Sequence, residues 1–309
     1  MAAEIATASA SQSAALFAKI GINRNEDDSI SLFARTELSS ALATLEMENG
    51  KSRRARQLFR KSLQGPNENS VAQVEWANRK IGGLEIGKEL LTLPKTFEAS
   101  ASLNLVAGEW NRAIANGMEW LRDQPFSKDP AVFTSYVASL TEDYEKSISI
   151  LKKSLNANPG DPLLINNLAF ALGSANRVGE AERVLGRIDL EQSEGLSAIT
   201  LAATAGLLLF REGLPDRGRE FYELAISRAT AQGNSKYRAM ARLYLAREEL
   251  IAATPAAKTA VNRALLDAAK VEDKEVAFIA DQVRTLEAST KSENPRPTSP
   301  VRFGHGGRV

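Results

Sequence analysis

The sequence has no cysteine and one histidine, His305, in 309 residues. The first absence excludes disulfides, thiolate-bound zinc and a cysteine nucleophile, and the second removes nearly every histidine-based metal or acid–base site. An excess of either charge is also missing. Lys and Arg number 39 against 38 Asp and Glu, a net charge of +1, so no global field draws the molecule to nucleic acid or anionic lipid, and such a partner would need a local patch. No window reaches the roughly eighteen unbroken apolar residues of a membrane span. The first twenty residues carry a single basic residue, Lys19, and lack the basic and apolar regions of a secretory signal. The expectation is a cytoplasmic protein without membrane insertion. What is present is ordinary for a globular chain: 43% hydrophobic and 25% charged residues exclude wholesale disorder.

The strongest positive signal is an internal repeat. Ala101, Ser135 and Ala169 are spaced 34 apart, as are Ala113, Ser147 and Ala181, then Trp110, Tyr144 and Val178, and also Pro125 and Pro159. Small residues recurring at fixed sites imply helices in close approach, because only Ala, Gly or Ser leaves so little bulk between backbones. Further copies read Leu42-Ala43, Gly50, Ala55, Phe59 and Ser62, and Ala205-Gly206, Leu209, Gly213, Gly218, Tyr222 and Ala225. No alternation of period two argues for a sheet.

On these residues the chain resembles the tetratricopeptide repeat family. The resemblance implies an all-α, right-handed solenoid of stacked antiparallel helix pairs, about a dozen helices in all. It is specific over roughly residues 30–230. Residues 1–27 read as an Ala/Ser-rich segment, 28–288 as the array, and 289–309 as a basic tail that its Pro and Gly keep from regular structure. Within the array, 235–288 reads as capping hairpins, with Pro255 and Asp273 opening helices. Residues 82–94 form an irregular unit: Trp76-Ala77 lies in register, but the second helix expected after it is replaced by a Gly-rich stretch.

Four features bear on function. Gly82 to Lys88 has the spacing of a phosphate-binding loop, but Glu89 stands where Ser or Thr should hold magnesium, and Val71 to Ile81 reads as helix rather than the strand such a loop requires. A glycine-broken connector is the plainer reading. Lys51, Arg53, Arg54, Arg56, Arg60 and Lys61 form the densest basic run, and helical spacing sets Arg53, Arg56 and Arg60 opposite the packing face. That surface is either a solvated exterior or a phosphate-contacting alternative site through which a regulatory subunit would touch nucleic acid. His305 has no second His or Cys to complete a site, and no carboxylate pair stands in a catalytic context. No enzyme activity, cofactor or metal is expected.

The fourth feature is the inner groove that the resemblance implies. By register its lining would be Val132, Phe133 and Tyr136, then Asn166, Asn167 and Phe170, then Thr200, Ala203, Thr204 and Leu207. With amides and no Lys or Arg among them, such a groove suits a neutral or amphipathic segment of a protein partner. The plainer reading is that Phe133, Phe170 and Leu207 pack against adjacent helices. The expected function is a non-enzymatic scaffold or adaptor that holds a peptide or helix of its partner.

Overall fold

The computed structural model describes residues 32–189 and 193–293. Among them are fourteen α-helices and no strand: α1 (Leu32–Glu48), α2 (Ser52–Ser62), α3 (Glu68–Ile81), α4 (Phe97–Ala107), α5 (Trp110–Asp123), α6 (Lys128–Leu140), α7 (Tyr144–Ala157), α8 (Pro162–Ser174), α9 (Val178–Leu185), α10 (Gly195–Arg211), α11 (Pro215–Ala231), α12 (Ser235–Ile251), α13 (Ala257–Ala268) and α14 (Lys274–Glu293). One 3-10 turn, Lys88–Thr92, stands between α3 and α4. The chain forms two compact units, Met1–Ala171 and Leu172–Val309. The N-terminal segment 1–27 lies outside the described residues. The last helix runs to Glu293, so the start of the tail at 289 is helical, and the rest of the tail lies outside the described residues.

Helix starts are written into the sequence. Asn67 Oδ1 accepts from Ser70 N at 2.8 Å while Asn67 N donates to Ser70 Oγ at 3.0 Å, a reciprocal cap that starts α3. Asp161 Oδ1 accepts from the amides of Leu163 and Leu164, and Pro162, which has no N–H to satisfy, occupies the first turn of α8. Asn234 caps α12 through Tyr237 N, and Asp273 caps α14 through Glu275 N and Val276 N. Each such cap stabilises its helix by about 1 kcal/mol.

Helix stops follow one device. The first helix of each regular hairpin ends on a residue in the left-handed region: Gly50 (φ 75), Gly108 (78), Glu142 (63), Asn176 (60), Gly213 (79) and Ala253 (49). After each, the next amide bonds back across the last turn, as in Asp143 N to Ala138 O at 2.9 Å and Arg177 N to Leu172 O at 2.8 Å. This closure satisfies carbonyls the helix leaves open. Gly108, Glu142 and Asn176 fall 34 apart, so the repeat is a repeat of turns as well as of packing sites.

In the first unit α1 packs on α2 and α3, α4 on α5, α5 on α6 and α6 on α7. In the second, α10 packs on α11, α11 on α12, and α12 on both α13 and α14. The small residues of the 34-residue register (Ala101, Ser135, Ala169, Ala113, Ser147, Ala181) are all buried. Around α1 to α3 the core gathers Ala43, Ala55, Phe59, Val74, Ala77 and Leu84. Ala77 thus sits in register although no second helix follows it: residues 82–87 form no regular element, with Gly82 and Gly83 at positive φ, and the chain then enters the 3-10 turn.

Candidate functional site

The groove residues expected from the register of the first unit lie on α6 and on α8 before Leu172. The start of α6 is tied to the turn before α8: Lys128 Nζ pairs with Asp161 Oδ2 at 3.0 Å, and Asn158 Nδ2 donates to the Phe126 carbonyl at 3.1 Å. The 34-residue offset matches Val132, Phe133 and Tyr136 of α6 in register to Asn166, Asn167 and Phe170 of α8. The far side of α6 buries Ala131, Thr134, Ser135 and Ala138. Val132, Tyr136, Asn167 and Phe170 are half-buried. Asn166 is 6% exposed, and its Oδ1 has no hydrogen-bond partner among the described residues. A buried amide oxygen left open costs about 1–3 kcal/mol, a cost that a bound N–H donor would remove.

Phe133 belongs to the packing instead. Its ring lies 6.1 Å from that of Trp120 at a tilt of 59°, and it closes on Gly117, where an added Cβ would stand 3.2 Å from Phe133 Cδ1. Its face is spent on α5.

The second unit corrects part of the sequence reading. Leu207 is 1% exposed and Thr204 is buried, so neither lines an open surface. Leu207 closes over Gly173, where an added Cβ would lie 3.3 Å from its Cδ2. The Thr204 hydroxyl donates to the Thr200 carbonyl, and the Thr200 hydroxyl donates to Leu196 and Ser197 carbonyls of its own helix. Ala203 and Thr200 remain half-buried.

The basic helix α2 is not the uniform exterior its spacing suggests. Arg53 is exposed, but Arg56 Nη1 donates to the Ile81 carbonyl at 2.8 Å and Arg60 Nη2 to the Gly83 carbonyl at 2.7 Å. Two of the three arginines set down as a phosphate-contacting surface therefore hold the end of α3 and its glycine turn. The same contacts answer the phosphate-loop spacing of Gly82 to Lys88. The loop follows a helix, its carbonyls are taken by guanidinium groups, Leu84 N bonds to Asn78 Oδ1, and Leu84 itself is core. The connector is fastened at Gly82 and Gly83 by Arg56 and Arg60.

Sequence reasoning missed Glu75. It lies 2% exposed on α3 with Arg79 at 2.9 Å, and burial, with Glu98 of α4 adding to it against Arg79, raises its carboxyl from 4.5 to about 7. An acid at a core position of the helix pattern was the available signal.

Among the described residues no His, Asp or Glu group is arranged to hold a metal, and no helix is long and apolar enough to cross a membrane. No family model and no curated protein matches the chain. Among solved structures it is similar to yeast Tom70, with 14% identity and a TM-score of 0.46 over 91% of this chain and 58% of that one. It is also similar to a tetratricopeptide repeat protein from Parabacteroides merdae ATCC 43184, with 15% identity and a TM-score of 0.45 over 88% of this chain and 91% of that one. The chain thus spans little more than half the length of the Tom70 chain.

Proposed function

We propose that the chain is a non-enzymatic scaffold that holds an extended, largely uncharged segment of a partner protein against α6 and α8. The observation that carries this reading is the Oδ1 of Asn166, buried at 6% exposure without a hydrogen-bond partner among the described residues, at the position that the 34-residue register matches to half-buried Val132. A peptide backbone supplies the N–H donors such an oxygen lacks, and the aromatic rings supply contact area at low entropic cost. Selection of a displayed random peptide library on the whole chain tests it. Neutral, apolar sequences should be enriched, and their binding should fall by about 2 kcal/mol or more in the Tyr136→Ala/Phe170→Ala variant, with circular dichroism unchanged. Enriched peptides that bind this variant as well as the parent would contradict the reading.

A further inference from the structure

The structure sorts the six cations on and just before α2. Arg56 and Arg60 are committed to the carbonyls of Ile81 and Gly83. Lys51 and Arg54 approach the buried Glu46 carboxylate at 3.3 and 3.6 Å, yet their side chains stay 61% and 57% exposed. Arg53 and Lys61 have no ionic or hydrogen-bonding partner among the described residues. One carboxylate therefore answers four cations, a local surplus of three positive charges in a chain whose net charge is +1. All four line one depression of about 690 Å³, together with Gln57 and Leu58. Leu58 and the methylene stems of the long cations give this hollow an apolar lining beneath a charged rim.

We infer that this depression docks an acidic, leucine-bearing segment of a partner protein. Three features select that chemistry. A volume of about 690 Å³ takes a stretch of chain and not a single small anion. The apolar lining calls for a side chain such as leucine between the acids, since cations alone would be satisfied by solvated anions. A polynucleotide would need cations along the whole helix to follow its phosphates. The anchoring of Arg56 and Arg60 breaks that row and leaves a compact cluster. This surface is separate from the α6 and α8 face, so the two readings stand or fall independently.

The test uses the whole chain, a fluorescein-labelled peptide of alternating Glu and Leu, and an oligothymidine of equal charge, followed by fluorescence anisotropy at low salt. The peptide should bind saturably, more tightly than the oligonucleotide, and weaken as salt rises. Arg53→Glu/Lys61→Glu should weaken it at least about tenfold, and Tyr136→Ala/Phe170→Ala should leave it unchanged. If the reversal disturbs the helical signal, Arg53→Gln/Lys61→Gln carries the same comparison. Peptide binding that does not saturate, that survives both sets of substitutions, or that is weaker than oligothymidine binding overturns the inference.

Discussion

Glu75 and Ala253 each occupy a state that their residue type resists, and both therefore offer measurable consequences. Folded Glu75 keeps its proton up to about pH 7, whereas the unfolded chain releases it near 4.5. Between those values the folded state binds more protons, so the protein loses stability as pH rises through that window and recovers it on acidification. Glu75→Gln keeps the shape and removes the titration. The variant should be more stable than the parent at pH 8 by about 1–3 kcal/mol and nearly equal to it at pH 4.5, as read from urea midpoints at the two pH values. An equal gain at both would show that the carboxyl does not titrate in the folded protein. Ala253 holds φ at 49, the left-handed region that costs a residue with a Cβ about 1 kcal/mol or more. Ala253→Gly removes the strain and gives part of it back as chain entropy, so a net gain of about 0.5–1 kcal/mol is expected. The sequence showed the glycines of these turns but not Glu142, Asn176 and Ala253. Only the packing around a turn forces an ordinary residue into the conformation that glycine adopts freely.

At the scale of helices, α10 and α11 come backbone to backbone at a pair of glycines. An added Cβ on Gly206 would lie 2.9 Å from the Gly218 carbonyl oxygen, and one on Gly218 2.9 Å from that of Gly206. Gly206→Ala should cost about 1–2 kcal/mol, the overpacking outweighing alanine's better helix propensity. Gly179, on α9, has nothing within 4 Å of its would-be Cβ, so Gly179→Ala should stabilise by about 0.5 kcal/mol. Thermal melts of the two variants shifting in the same direction would contradict the assignment of Gly206 to a contact. α2 provides a second contrast: Arg56→Gln should lose about 1 kcal/mol because Ile81 and Gly82 carbonyls lose their donor, while Arg53→Gln should stay within about 0.5 kcal/mol of the parent. The helical wheel placed both arginines outward because it measured their angle from one neighbour, α1. α2 packs on α3 as well, and the side of a helix that faces away from one neighbour is free only if no other neighbour claims it.

Across the molecule, what the sequence disclosed is what periodicity can encode. The 34-residue spacing located the small buried residues Ala101, Ser135, Ala169, Ala113, Ser147 and Ala181, and local residue type marked the irregular stretch after α3 and the helix start at Asp273. The proposed binding face was only partly legible. Register set Val132, Tyr136, Asn166, Asn167 and Phe170 on two inner helices, but it could not tell that Phe133 turns onto Trp120 or that Leu207 closes over Gly173. Those outcomes depend on glycines in neighbouring helices, whose missing side chains open room that no single-helix pattern reveals. We propose that α6 and α8 hold a peptide through the buried Asn166 amide. Amide hydrogen exchange of the whole chain, with and without a neutral peptide recovered by display, tests it most directly. Slowed exchange is expected in 132–140 and 163–174, with residues 51–62 unchanged. Slowing confined to 51–62, or to helices of the second unit, would contradict it.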